Sequence, residues 1–89
     1  MVSRTYSAVI GTGGYLPGEP VSNQAMVDRL GALGLETSDE WIRERTGIEQ
    51  RYFASDDLST SDLAHRASLA ALEDAGLEPD LVDLIVLAT

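Results

Sequence analysis

Three residues spaced four apart, Thr37, Trp41 and Arg45, form the constellation in this sequence that is best suited to binding chemistry. Residues at that spacing share one face of an α-helix. An indole beside a guanidinium offers a flat apolar surface next to a fixed positive charge, which suits an adenine ring attached to phosphates. A lone Trp in a small domain is also commonly a core anchor that an Arg at i+4 merely covers. The spacing therefore leaves nucleotide binding and core packing both open.

Catalytic and metal chemistry find little support in the composition. The chain has no cysteine, which excludes thiol catalysis and disulfides. It has one histidine, His65, so no second histidine is present to complete a metal site. The acidic pairs Asp39-Glu40 and Asp56-Asp57 are adjacent in sequence, so their side chains diverge, and capping or solvation explains them better than acid–base catalysis. We expect no catalytic residue and no metal ligand in this chain, and we interpret His65 as a surface or helix-packing residue.

The glycine-rich segment Gly11-Thr12-Gly13-Gly14 follows a predicted strand and invites comparison with a dinucleotide-binding loop. The third glycine of the G-x-G-x-x-G pattern falls on Leu16, however, and Pro17 prevents the segment from opening a helix as that pattern requires. The segment therefore predicts a tight structural turn.

Three strands are predicted around these residues. Residues 6–10 and 48–53 have strand-like patterns, and residues 84–88 are apolar at every position, which is typical of a strand covered on both faces. Only one long helix precedes the last of these segments. We therefore expect that the isolated chain is not a stable monomer.

Three helices are predicted between the strands. The first starts at Asn23 as its N-cap, the second starts at a capping box formed by Thr37 and Glu40 and runs to about Thr46, and the third spans residues 62–75. Gly47 and Gly76 supply the stops of the second and third helices. The order strand–helices–strand–helix–strand predicts an α/β fold, with no internal domain boundary over residues 1–89.

The charge of the chain restricts its partners. Six basic residues against fifteen acidic ones give a net charge of −9, which opposes binding to nucleic acid and to anionic membrane surfaces. The sequence shows no secretory signal and no apolar stretch of membrane-spanning length. We therefore expect a cytoplasmic protein that binds neither nucleic acid nor membrane.

Several segments together closely resemble the opening of the β-ketoacyl-acyl carrier protein synthase III family. The matching segments are GTGGYLP at 11–17, TSDEWI at 37–42 and RTGI at 45–48, and the likeness continues through Arg51, SDLA at 61–64, AG at 75–76 and DLIVLAT at 83–89. This resemblance implies that the chain is the amino-terminal portion of the first half of a thiolase-like fold.

The resemblance also implies an activity for the whole protein. Members of the family are acyltransferases that condense acetyl-CoA with malonyl-acyl carrier protein at the start of fatty acid biosynthesis, and they usually work as homodimers. Coenzyme A enters as the thioester substrate, and no cofactor is implied. The family's catalytic Cys, His and Asn have no match here, because Asn23 and His65 stand in different sequence contexts. The chain alone is therefore expected to be inactive.

Four residues are carried over as a coenzyme A site. In the family, the Trp equivalent to Trp41 stacks on the adenine and the Arg equivalent to Arg45 lines the same pocket, with Thr37 and Thr46 beside them. The stretch 28–36 is longer and more glycine-containing than in the shortest family members, which would reshape the rim of the pocket. Two alternatives remain open: another condensing enzyme of polyketide or quinolone starter type, and a small acidic domain whose Trp41-Arg45 face contacts a protein.

Overall fold

The structure, a computed structural model, describes residues 4–89, which fall into two compact units. The first unit runs up to Tyr15 and resumes over Leu58–Thr89, and the second is Leu16–Asp57. The elements are β1 (Val21–Ser22), α1 (Asn23–Ala32), α2 (Asp39–Thr46), β2 (Gln50–Arg51), α3 (Thr60–Ala75) and a short 3-10 helix (Pro79–Leu81).

Both helices of the second unit are capped by a serine one residue away from the predicted cap. The Ser22 hydroxyl accepts from the backbone N–H of Ala25 at 3.1 Å, so Asn23 is the first residue of α1 and not its N-cap. Likewise, the Ser38 hydroxyl accepts from the N–H of Trp41 at 3.1 Å, so the predicted cap at Thr37 is wrong. In both cases the serine has the extended backbone of an N-cap and reaches the N–H three residues on.

Helix α2 ends where the sequence predicts. Gly47 adopts a left-handed conformation with φ 71°, and its N–H donates to the carbonyl oxygen of Arg43 at 2.8 Å. Glycine adopts this conformation without the steric penalty that a Cβ would bring. The predicted end of α2 at Thr46 is therefore confirmed.

A short antiparallel pair of strands joins the two ends of the second unit. Val21 pairs with Arg51 and Ser22 pairs with Gln50, so the predicted strand 48–53 is reduced to two residues. Its partner, β1, is equally short, because helix α1 begins directly after it. The pairing fixes the backbone of Arg51 beside the start of α1.

The buried residues of the second unit are Pro17, Asn23 and Ile42. Asn23 is 1% exposed, and its side-chain amide donates to the Asp39 carboxylate at 2.9 Å and to the Ile48 carbonyl at 2.6 Å. Its backbone N–H donates to the carbonyl of Glu49 at 3.1 Å. Asn23 thereby joins the start of α1 to the first turn of α2 and to the segment after α2. Ile42, a residue of α2, is also buried, with 7% of its surface exposed.

The first unit is built on helix α3, which matches the predicted helix and starts two residues earlier. Ser59 and Asp62 form a reciprocal capping box, with the N–H of Ser59 donating to Asp62 at 2.9 Å and the N–H of Asp62 donating to Ser59 at 3.3 Å. The helix ends at Gly76, which is left-handed with φ 69°. Both ends of the longest helix are thus set by local sequence.

The glycine-rich segment packs directly on α3 and does not form the predicted turn. A Cβ on Gly11 would lie 2.6 Å from the Ala71 carbonyl oxygen, and one on Gly13 would lie 2.4 Å from the Ala71 nitrogen. Neither glycine has a positive φ, so each is needed for space and not for a turn. The Thr12 N–H also donates to the Asp74 carboxylate at 3.0 Å. The backbone at Gly11 and Gly13 therefore packs closely against α3 at Ala71.

The predicted strands over residues 6–10 and 84–88 are not formed as hydrogen-bonded strands. A strand is defined by the ladder it makes with a neighbour, and within residues 4–89 neither segment has one. Their apolar side chains are open, for example Val9 at 86% and Val86 at 87% exposed. Within the same residues, no helix has the length and apolar character needed to cross a membrane.

Candidate functional site

A cavity of about 550 Å³ lies in the second unit, bordered by helices α1 and α2. This volume falls in the range typical of small-molecule sites. The lining residues are Met26, Leu30, Glu36, Thr37, Ser38, Trp41, Ile42, Thr46 and Arg51. Apolar side chains thus combine with three hydroxyl-bearing residues and one residue of each charge, which suits a ligand that is partly flat and apolar and partly polar.

Trp41 presents an open aromatic face in this cavity. Its side chain is 52% exposed, so it is not a buried core anchor in the unit that the structure describes. The guanidinium carbon of Arg45 lies 5.3 Å from the Trp41 ring centroid, which is a cation–π contact. The i, i+4 spacing on α2 brings Trp41 and Arg45 together as predicted. Arg45 does not line the cavity itself and is linked to it by its contact with the Trp41 ring.

The two threonines play different parts. Thr46 lines the cavity, but its hydroxyl donates to the Ile42 carbonyl at 2.7 Å and accepts from the Ile48 N–H at 3.0 Å, so it closes the end of α2. Thr37 lies before α2 begins, not on the helical face, and it still lines the cavity. Its buried hydroxyl has no hydrogen-bond partner within residues 4–89.

Of the three arginines near the site, Arg43 forms ion pairs, whereas Arg45 and Arg51 form none within residues 4–89. Arg43 lies 3.0 Å from Asp39 and 3.6 Å from Glu49, and its hydrogen bond with Asp39 raises its pKa. The pKa of Asp39 is in turn lowered, first by the hydrogen bond from Asn23 and then by that from Arg43. Arg45 and Arg51 form no ion pair within residues 4–89, so their charges remain available to a ligand.

Sequence reasoning missed two residues of this site. Asn23 was interpreted as a helix cap, although it is the buried amide that sets α2 against α1. Arg51 was noted only as part of the family resemblance, although it lines the cavity. The signal for Arg51 would have been pairing of its strand with the residues just before α1, which depends on a contact far along the chain.

His65 lies elsewhere, on α3 in the first unit. It is an exposed residue at a second cavity of about 440 Å³ that is lined mainly by apolar side chains. No other histidine exists in the chain. Within the described residues, no group of three side chains is arranged to hold a metal ion.

Solved structures similar to this chain include two 3-oxoacyl-acyl-carrier-protein synthases III and one priming β-ketosynthase. The 3-oxoacyl-[acyl-carrier-protein] synthase III from Aquifex aeolicus VF5 is 38% identical with a TM-score of 0.64, and the match covers 80% of this chain and 21% of that one. The priming β-ketosynthase of the R1128 polyketide biosynthetic pathway is 35% identical with a TM-score of 0.72, and the match covers 93% of this chain and 23% of that one. The 3-oxoacyl-(acyl carrier protein) synthase III from Pseudomonas aeruginosa PAO1 is 46% identical with a TM-score of 0.62, and the match covers 78% of this chain and 20% of that one. The predicted resemblance to the synthase III family is confirmed. No family model matches the sequence.

These comparisons also confirm the fold class. The helices and the small sheet match part of the thiolase-like α/β fold of the synthase III structures. The chain spans about a fifth of the length of each of these proteins. Its fold therefore matches one segment of each of these structures.

Proposed function

We propose that this chain is the amino-terminal part of a 3-oxoacyl-[acyl carrier protein] synthase III, and that the complete enzyme condenses acetyl-CoA with malonyl-acyl carrier protein. In this proposal the cavity of the second unit binds the nucleotide end of coenzyme A. The thioester is a substrate, and the complete enzyme is a cytoplasmic homodimer that uses no cofactor. The catalytic residues belong to the remainder of the enzyme.

The open aromatic face of Trp41 is the observation that carries the coenzyme A assignment. A half-exposed indole with a guanidinium 5.3 Å from its ring is suited to a base that carries phosphates. The cavity beside it is large enough for a nucleotide, and Thr37 offers a buried hydroxyl without a partner in the described residues. Identities of 38% and 46% to two synthases III support the same assignment.

A priming β-ketosynthase is the second candidate. The R1128 enzyme matches 93% of this chain with a TM-score of 0.72, and its name marks it as a polyketide starter enzyme. Both candidates use the same opening fold, so the described residues do not separate them. They differ in the acyl group that the complete enzyme loads.

The experiment is an activity assay of the complete protein with malonyl-acyl carrier protein and a series of acyl-CoA primers. Preference for acetyl-CoA supports a fatty acid synthase III, and preference for a longer or branched primer supports a priming ketosynthase. No turnover with any primer contradicts both. The 89-residue chain serves as the negative control, because covalent acyl transfer needs a nucleophile and the chain has no cysteine.

Arg45 provides a further test of the nucleotide assignment in the complete protein. Replacing Arg45 by Ala removes a charge that has no carboxylate partner within residues 4–89. The affinity for coenzyme A should fall most at low salt, and the penalty should shrink as salt rises, because exposed charges are screened. If the complete protein does not bind coenzyme A at any salt concentration, that result favours the interpretation that the Trp41-Arg45 face contacts a protein.

A further inference from the structure

Arg51 is a cationic residue of the cavity whose charge is not matched within the described chain. It is half-buried, its guanidinium Nε is buried without a hydrogen-bond partner, and no hydrogen bond or ion pair joins the guanidinium to any residue among 4–89. Glu36 lines the same cavity, yet the two side chains form no ion pair.

An unpartnered, partly buried charge is costly for a folded protein. Leaving a buried donor unsatisfied destabilises the fold, and more so when the donor is charged. Such a cost is typical of a functional position, where a ligand supplies the missing acceptor. The position of Arg51 in the cavity wall is consistent with that explanation.

The backbone that carries Arg51 is held in place. Arg51 pairs with Val21 in the two-stranded sheet, and the preceding segment is fixed by Asn23. Asn23 donates from its backbone to the Glu49 carbonyl at 3.1 Å and from its side chain to the Ile48 carbonyl at 2.6 Å. Binding groups on a rigid element lose little freedom when a ligand is bound. Arg51 is therefore presented to the cavity from a fixed support.

We propose that Arg51 is a phosphate-contacting residue of this cavity, whose guanidinium binds a phosphate oxygen of the nucleotide that stacks on Trp41. This inference rests on the proposed function. A guanidinium fork matches both carboxylate and phosphate, and the aromatic face of Trp41 in the same cavity favours the phosphate of a nucleotide. The pyrophosphate and the 3′-phosphate of coenzyme A both provide this chemistry.

The test compares Arg51→Met with Arg29→Met in the complete protein. Both changes remove one positive charge from the same unit, but Arg29 lies over the Phe53 ring and does not line the cavity. Calorimetric titrations use coenzyme A, dephospho-coenzyme A and inorganic pyrophosphate, at low and high salt. Thermal melts of the ligand-free variants run in parallel.

Arg51→Met is expected to weaken coenzyme A binding about tenfold or more, the usual scale for losing a charge-assisted hydrogen bond, and to flatten its salt dependence. Arg29→Met should bind as the wild type does. Equal losses for coenzyme A and dephospho-coenzyme A indicate the pyrophosphate, and a loss confined to coenzyme A indicates the 3′-phosphate. The Tm of ligand-free Arg51→Met should be unchanged or raised, because an unmatched charge has been removed.

Contrary outcomes separate this inference from the proposed function. Unchanged coenzyme A affinity in Arg51→Met overturns the role of Arg51 and leaves the synthase assignment standing. Unfolding or a marked fall in Tm means that the guanidinium supports the fold, and also overturns it. If the wild type binds pyrophosphate through Arg51 but not coenzyme A, the phosphate contact is supported and the coenzyme A assignment fails. Binding of neither ligand overturns both.

Discussion

The side-chain amide of Asn23 lies 2.9 Å from the Asp39 carboxylate, and this hydrogen bond joins the first residue of helix α1 to the first residue of helix α2. The two helices border the candidate site, and the bond holds their first residues together. The same amide also holds the Ile48 carbonyl at 2.6 Å. A single buried side chain therefore organises the unit that carries Trp41.

Asn23→Ala should destabilise the complete protein by about 1–3 kcal/mol, because it leaves the Ile48 carbonyl and Asp39 without their buried donor. Denaturant unfolding monitored by circular dichroism measures the change. Gln24→Ala is the matched control, since Gln24 is exposed and bonds only to Asp28 at 3.1 Å. Equal stability of the two variants would show that the Asn23 amide does not hold the helices together.

Acid should weaken the contact between Asn23 and Asp39. The hydrogen bonds from Asn23 and Arg43 hold the pKa of Asp39 below its ordinary value. The stability this carboxylate contributes is therefore fully present above its unfolded pKa of about 3.9 and is lost as the pH falls through its lower folded pKa.

Unfolding midpoints measured across the acidic range for wild type and Asp39→Asn test this dependence. The midpoint of the wild type should fall more steeply below about pH 4 than that of Asp39→Asn, which has no carboxylate to protonate at this position. Glu40→Gln controls for the change in net charge on the same turn of α2. Parallel curves for wild type and Asp39→Asn would contradict the link between Asp39 and acid stability.

Gly13→Ala should destabilise the first unit by about 1–3 kcal/mol, the scale of an overpacked contact. The added Cβ would lie 2.4 Å from the Ala71 nitrogen and 2.7 Å from the Ala67 carbonyl oxygen. Gly14→Ala is the control at the next residue, because a Cβ there meets nothing within 4 Å. Thermal melts of both variants in the complete protein make the comparison, and a harmless Gly13→Ala would mean that the segment does not lie against α3 in solution.

Local sequence signals predicted the helices well and the strands poorly. Ser59, Asp62 and Gly76 define α3 through contacts within a few residues, so its ends follow from sequence. A strand depends on a distant neighbour, and within residues 4–89 the segments 6–10 and 84–88 have none. The close packing of Gly11 and Gly13 against α3 likewise joins segments far apart along the chain, and the sequence predicted a tight turn there instead.

The candidate site shows the same division. The contact between Trp41 and Arg45 follows from i, i+4 spacing on one helix, and it was predicted. The parts played by Asn23 and Arg51 arise from contacts between residues at least 16 positions apart. Neither the type nor the spacing of these two residues predicts their roles in the site, so these roles are seen only in the folded structure.

The isolated 89-residue chain should associate in solution. Its apolar side chains at Val9, Leu84, Ile85 and Val86 are all at least 80% exposed. Large apolar side chains left open to water in this way promote association or aggregation. Size-exclusion chromatography with light scattering should therefore report species above the 9.5 kDa of one chain. A cooperative monomer would contradict this expectation.

Whether Trp41 binds the nucleotide of coenzyme A is tested by measuring coenzyme A binding to the complete protein before and after Trp41→Ala. Loss of an aromatic stack on a base typically costs about 1–3 kcal/mol, so the dissociation constant measured by calorimetry should rise roughly five- to 150-fold, with the fold intact by circular dichroism. Phe53→Ala is the control, since Phe53 is 50% exposed in the same unit and does not line the cavity. An unchanged dissociation constant in Trp41→Ala, or unfolding of that variant, would show that Trp41 does not serve as the binding surface for the base of coenzyme A.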